Sequence, residues 1–556
     1  MYKYDYLVLK QLANTKKGKE FVEGVKECYE KNYLGKKASV LTYGYFKDFY
    51  RTGNRTLFQG EYFERRKRLM LLQVLALVSD NYLEDLEQIL FEITSEFSWA
   101  LPAHSFVHDG SLSYDYKCVD LYSSETSFYL AETAYVFKDK LSKDILDRIN
   151  ISIKTKVVDN FENGTFFFDR TTNNWAAVCC GAVGIAYLYA FPERFNIIKE
   201  RIFKGMERFL SGIEDDGYCS EGFNYWIYGF GFFCMFFDVY TAMTGETPEI
   251  LKTEKIKRCL EYGTASKLSG DRYLPFADGG TVGEHEPTMG ACVIEQLFNA
   301  KYNTSNNFPL PNTKAIGFRA LYSCVNEITN EIKVDNFKYY EKGEIYINKK
   351  QNYAFTAKGG YNKEKHNHND IGVFHIVRGN DLIIADLGVG EYTKGYFGSD
   401  SEEGEGRYSK KVFVCSSLSH SVPIINGDTQ KVGIEHKATI LESNEKTFKL
   451  DIKDAYVQKL NELIVEYTLE ENKVIVNYKS SGAKTFTVRF VSVVEPIFKG
   501  DYLEINGAKC YSNSGIKPTV EKVEYNNQQS KKTCAYTIDY EILDANSVDQ
   551  TFEIVI

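Results

Sequence analysis

His366-Asn367-His368-Asn369-Asp370 places two imidazoles and a carboxylate within five residues, in a 556-residue chain that has only eight histidines. An apolar stretch follows at once: Ile371, Val373, Phe374, Ile376 and Val377. On an extended strand, residues two apart point the same way, so His366 and His368 share a face. Leu382-Ile383-Ile384-Ala385 is a second short apolar run, closed by Asp386. It reads as the next strand. His368, Asp386 and the later His420 then make a His/Asp/His set, a donor combination suited to Zn²⁺. His366 is left over for other chemistry. Buried His and Asp are uncommon unless paired, which weighs for a functional cluster over an incidental one.

His-x-His-x-Asp also opens the metal site of the metallo-β-lactamase fold. That site continues with a further His, and here Ile371 stands in its place. Two other polar stretches open apolar segments earlier in the chain. In Thr171-Thr172-Asn173-Asn174-Trp175, one asparagine can cap the helix that follows, leaving the other amide to face a cavity. Asp215–Gly229 reads Asp-Asp-Gly-Tyr-Cys-Ser-Glu-Gly-Phe-Asn-Tyr-Trp-Ile-Tyr-Gly. Taken alone it is a turn leading into an aromatic core helix. Asp216 and Glu221 also offer an acid pair of the kind used in glycoside hydrolysis.

The elements that must position these groups follow from periodicity. Residues 1 to about 310 read as helices. Glu61–Leu77 sets Leu69, Leu72, Leu75 and Leu77 against a basic run, Arg65 to Arg68, and Ser142 is a candidate cap for a stripe of Ile145, Ile149, Ile153 and Val157. Trp175–Phe191 and Phe230–Val239 are apolar all round and must be buried on every side. Outer amphipathic helices around inner apolar ones predict a double ring, an (α/α) toroid, over residues 1–312. Lys301–Lys314 is polar with two prolines and reads as a linker. From about 340 the period becomes two, as in Lys473–Tyr478 and Thr485–Phe490, predicting an antiparallel β-sandwich over residues 313–556. The expected fold class is therefore a multidomain α+β chain, as its length also requires.

Composition narrows the partners. A net charge of −9 argues against nucleic acid. The chain holds 41 Tyr and 38 Phe, a supply of aromatic faces that suits sugar rings. No signal-peptide run and no clean membrane span stand out. The twelve cysteines have no framework spacing, so they read as reduced thiols of a cytoplasmic protein, or of a secreted or periplasmic one if a leader was trimmed. A homo-oligomer is compatible with all of this.

Three motifs in order resemble the heparinase II/III-like polysaccharide lyases, to which dermatan sulfate epimerase is related. They are Asn-Asn-Trp opening a buried helix, Asp-Gly-x-x-x-Glu-Gly-x-x-Tyr about fifty residues on, and His-x-His-x-Asp-x-Gly before a strand ending in Asp-x-Gly. The resemblance spans roughly residues 95 to 430 and implies an (α/α) toroid followed by antiparallel sheets. It implies β-elimination at a uronic acid of an anionic oligosaccharide or polysaccharide, with glycosaminoglycan fragments the expected substrate. Asn174 matches the amide that neutralises the carboxylate. Tyr225, with Tyr228 as second choice, and His366 match the tyrosine and histidine that serve as base and acid. His368, Asp386 and His420 match the metal ligands, with Zn²⁺ or another divalent cation in a mainly structural role. Trp99, His104, Arg170, Trp175, Glu221, Tyr392 and Tyr396 are candidate substrate contacts. Relatives carry a His next to the Asn-Asn-Trp segment, whereas Ala176 and Ala177 follow Trp175 here; four residues past Tyr225, where a positive side chain is expected, stands Gly229. The alternatives are a uronate C5 epimerase, a non-catalytic carbohydrate-binding protein and a helical-toroid hydrolase.

Overall fold

A computed structural model describes residues 2–104, 118–279, 288–302, 316–364, 366–393, 396, 407, 412–528 and 530–556. Most of the linker expected at Lys301–Lys314 lies outside the described residues. The chain forms two compact units. The first comprises Met1–Ile213, Trp226–Ile256 and Glu286–Ile332; the second comprises Glu214–Tyr225, Lys257–His285 and Lys333–Ile556.

The first unit is helical. Its centre is built on helices α1 (Leu121–Val136) and α2 (Asn174–Ala190), which pack on each other. α2 is buried on all sides, as its lack of a polar face requires. Helix α3 (Phe195–Ser211) packs beside α2 and buries one stripe, Ile198, Ile202, Met206 and Phe209. Helix α4 (Phe223–Thr244) belongs to this unit from Trp226 onward. Gly184 lets it come close: a Cβ there would lie 2.7 Å from the Phe236 ring. Among the described residues α4 alone is long and apolar enough to cross a membrane, and most of it is buried within the protein.

Three details depart from the sequence pattern. The stripe of Ile145, Ile149, Ile153 and Val157 is buried, but the α-helix ends at Ile153 and a π-helical turn, Lys154–Val158, carries Val157. Ser142 occupies the N-cap position without a side-chain capping bond. Arg65, Arg66 and Arg68 do not form a solvated face: all three are buried. Glu96 takes Arg66 in two bonds of 2.6 and 2.7 Å and Arg65 at 3.2 Å. A buried charge is tolerated when paired and hydrogen-bonded, which is how Arg65 and Arg66 come to lie in the interior.

The second unit is mainly antiparallel sheet. Strands β1 (Phe337–Tyr340), β2 (Ile345–Lys349), β3 (Ala354–Lys358), β4 (Phe374–Arg378) and β5 (Asp381–Ile384) form a five-stranded sheet in chain order. Eight- and four-stranded sheets accompany it. In the eight-stranded sheet, Glu462–Leu469 and Lys473–Ser481 bury alternate residues, as a period of two demands. β3 is buried throughout and β4 nearly so, hence their near-continuous apolar sequences. Phe355, Phe374, Tyr467, Phe490 and Phe552 belong to one core beneath these sheets. This unit also takes in the segments that carry Glu221, Tyr225 and Asp278, so these share a unit with His366 although they precede it by more than eighty residues.

Candidate functional site

The turn from His366 to Asp370 does not lie on a strand; it is the loop that leads into β4. His366 adopts a left-handed backbone (φ +57°), as does Ala277 (φ +61°), the residue before Asp278. Each such non-glycine conformation costs free energy and persists only where surrounding contacts over-determine it. The contacts here are specific. Lys358, at the end of β3, is buried, donates to Asp370 at 2.9 Å and makes a very short bond to Asn367. Asn369 N–H donates to Cys415 O at 2.9 Å and Ser417 donates to Asn369 O at 2.7 Å. Gln430 both accepts from Ile371 N–H and donates to Ile371 O. The loop is thereby locked from behind, leaving its imidazoles to face forward.

They face Asp278, whose side chain is fully buried and whose carboxylate accepts five bonds. His366 Nδ1 donates to Oδ2 at 2.6 Å, Tyr392 at 2.9 Å and Arg407 Nη2 at 2.9 Å. Oδ1 takes Tyr396 at 2.9 Å and His368 Nε2 at 3.3 Å. Burial alone would raise this carboxyl's pKa; Arg407 and the two imidazoles instead hold it well below the usual range. Tyr225 lies in the first turn of α4. Its ring stacks on His366 with centroids 4.2 Å apart, and its hydroxyl meets that of Tyr392 at 2.9 Å. Burial, reinforced by Asp278, pushes the Tyr225 phenol up, so it stays protonated at neutral pH. Glu221 Oε1 lies 3.5 Å from His366 Nε2. Because Nδ1–H is committed to Asp278, Nε2 is the nitrogen that can take a proton.

A second buried set adjoins this one. The ligand atoms of His368, Asp386 and His420 lie within 4.8 Å of one another. Asp386 sits two residues past β5, its Oδ1 accepting from Gly388 N–H at 2.7 Å. His420 Nδ1 is 3.3 Å from Asp386 Oδ2 yet makes no hydrogen bond among the described residues, and His420 Nε2 is 3.2 Å from His368 Nδ1. Two imidazoles, one carboxylate and an orphaned buried nitrogen fit a divalent transition-metal ion. Asp278, His368 and Cys415 form another such group. It fits less well, since the Asp278 carboxylate is already occupied by five donors, one of them the Arg407 cation. Burial works to lower the His368 pKa, but Cys415 and Asp278 raise it above its ordinary value.

The remaining candidates lie in the first unit. Asn173 caps α2 through Trp175 N–H at 3.1 Å, and Asn174 is its buried first residue. Gly229 admits no side chain: a Cβ there would lie 2.5 Å from the Phe209 ring and 3.1 Å from Asn174 Cβ. That explains why no cation stands at this position. Tyr228 makes a very short bond to Glu125, which also accepts from Tyr129 at 2.9 Å. Burial raises Glu125 to about 7. His104 bonds Asp120 at 2.8 Å, stacks on Tyr122 and meets the edge of Trp175. Arg170 is exposed. Trp99 is a core residue whose indole donates to Ile93 O.

Asp278, Arg407 and His375 escape sequence reasoning. Asp278 lies in an Ala-Asp-Gly turn with no sign of its partners, 88 residues from His366 and 129 from Arg407. His375 carried a usable signal: a histidine inside an apolar strand. It is buried on β4, its Nε2 3.3 Å from Asp386 Oδ2.

No family model matches the chain, and no curated protein sequence matches it. Solved structures do match. A heparinase III is similar at 11% identity and a TM-score of 0.58, over 98% of this chain and 92% of that one. Heparan sulfate lyase HepC from Pedobacter heparinus is similar at 12% identity and a TM-score of 0.53, over 88% and 76%. A Streptomyces coelicolor A3 chondroitin AC lyase, in complex with chondroitin sulphate, is similar at 8% identity and a TM-score of 0.55, over 99% and 82%. An α+β chain with helices before antiparallel sheets and these structural neighbours has the fold of the heparinase-like polysaccharide lyases.

Proposed function

We propose that the protein is a polysaccharide lyase acting on uronate-containing glycans by β-elimination, its helical unit an (α/α) toroid. The observation that carries this reading is the stacked Tyr225–His366 pair on Asp278. Elimination requires a base for the C5 hydrogen and an acid for the departing O4. His366 Nε2 is the base, oriented by the Nδ1–H bond to Asp278. Tyr225 is the acid, since burial keeps its phenol protonated. The C5 proton passes to His366 Nε2, the C4–O4 bond breaks, Tyr225 gives its proton to O4 and the C4=C5 double bond forms. The proton on His366 then restores Tyr225. Asn174 is proposed to hydrogen-bond the substrate carboxyl and so to favour the enolate-like intermediate. Zn²⁺ at His368, Asp386 and His420 would supply structural cross-linking of the loops that carry the histidines.

The stacked rings support elimination over epimerisation. Both proton transfers come from one side, whereas epimerisation needs an acid and a base on opposite faces of C5. A single-sided arrangement suits a 4-linked uronate whose C5 hydrogen and O4 share a face, as in glucuronate. The names of the structural neighbours, heparan sulfate lyase and chondroitin AC lyase, point to glycosaminoglycan oligosaccharides as the class. The test is near-UV absorbance over time with heparosan, hyaluronan, chondroitin, dermatan, heparin and alginate oligosaccharides. The expected result is a rise from the conjugated uronate, absent in His366→Ala and Tyr225→Phe. No rise on any member, with deuterium entering C5, would overturn the lyase in favour of an epimerase.

A further inference from the structure

We infer that Asp278 couples metal occupancy to the position of the catalytic base: one carboxylate holds a metal-ligating imidazole with one oxygen and the base imidazole with the other. The inference rests on the His368/Asp386/His420 set as the metal seat and on His366 as the base. His368 has two faces. Its Nε2 is 3.3 Å from Asp278 Oδ1, while its Nδ1 looks toward His420 Nε2 at 3.2 Å. A carboxylate accepts and does not donate, so Nε2 carries the hydrogen and Nδ1 is the nitrogen left to bind a metal ion. A carboxylate behind a ligating histidine fixes its tautomer and ring plane and raises its basicity. Asp278 is therefore an outer partner of the metal. Its other oxygen receives His366 Nδ1 at 2.6 Å. Arg407, on that same oxygen at 2.9 Å, keeps the group anionic for both tasks.

The arrangement gives the metal a role beyond tying loops together. With an ion held by His368 Nδ1, Asp386 and His420, any shift of the His368 ring would pass through its Nε2–H bond to the Asp278 carboxylate and from there to His366. The left-handed backbone at Ala277 and at His366 shows both ends of this link held by contacts rather than by local preference. Asp278 acts through other groups, so it is a positioning residue for both histidines.

The test needs no substrate, so it is independent of the lyase reading. Zn²⁺ affinity is measured by competition with a chromophoric chelator on the stripped full-length chain. Asp278→Asn is expected to weaken binding about 10- to 100-fold, and Asp278→Glu to recover part of the loss. With ¹⁵N-labelled histidine, adding Zn²⁺ is expected to shift the His366 ring resonance in the wild type and not in Asp278→Asn. Wild-type affinity in both folded Asp278 variants would overturn the coupling, as would a His366 resonance that shifts equally in Asp278→Asn. Unchanged Zn²⁺ binding in Asp386→Asn would overturn the metal seat and the coupling with it. If these expectations hold while no glycan is cleaved, the coupling stands and the reaction is what must be revised.

Discussion

Tyr392 and Tyr396 offer a controlled comparison. Each phenol donates one 2.9 Å bond to the same buried carboxylate, Tyr392 to Oδ2 of Asp278 and Tyr396 to Oδ1. Only Tyr392 also touches Tyr225, hydroxyl to hydroxyl at 2.9 Å. Because Tyr392 donates to Asp278, the Tyr225 hydroxyl must be the donor between the two phenols, and Tyr392 orients it. A hydrogen bond to a charged group contributes about 1.5–3 kcal/mol. Tyr392→Phe and Tyr396→Phe should therefore cost similar stability, about 1.5–3 kcal/mol each, read by urea unfolding followed through the second unit. Their kinetics should differ. Tyr392→Phe removes the group that orients the acid and should lower kcat about 10- to 150-fold, the same energy expressed in the transition state. Tyr396→Phe should change kcat several-fold less. The assay is initial-rate absorbance on the best glycan of the panel, with KM determined separately. Equal loss of kcat in the two variants, at equal stability cost, would refute the assignment of Tyr225 as the acid held by Tyr392.

Two further outcomes follow from the groups behind the histidine loop. Lys358→Met leaves the buried Asp370 carboxylate, paired at 2.9 Å in the wild type, without its cation; the expected cost is about 3–5 kcal/mol by denaturant unfolding, and a cost below 1 kcal/mol would show that the pair is not what locks the loop. Glu364 is buried, and its carboxyl is raised from 4.5 to about 7, burial outweighing Lys358. The folded state thus keeps a proton that the unfolded chain releases above about pH 4.5. Its contribution is fully present below that pH and is lost as pH rises through about 7. Glu364→Gln should flatten the fall by up to about 1.4 kcal/mol per pH unit across this window, and parallel stability curves for the two proteins would contradict it.

Much of the site was legible in the chain itself. His366, His368 and Asp386 are marked by chemistry-bearing residues beside apolar runs, and the alternation past residue 340 declares antiparallel sheet because side-chain period and backbone pleat are the same physical fact. The all-apolar α2 announced its own burial and the Asn173-Asn174 pair its cap, while only the structure assigns that cap to Asn173. What the sequence could not show is which distant groups meet. The basic run Arg65 to Arg68 reads as a solvated face because a charge pattern does not reveal a partner; Glu96, on a different segment, makes its burial possible. Asp278 looks like any Asp-Gly turn until folding brings His366, His368, Tyr392, Tyr396 and Arg407 onto it. Likewise the motif ranks Tyr225 only narrowly ahead of Tyr228. Only tertiary structure separates them, stacking Tyr225 on His366 and committing Tyr228 to Glu125. Local period and turn chemistry are written residue by residue. The convergence of five donors on one carboxylate is a property of packing, decided where buried charge must find its partners.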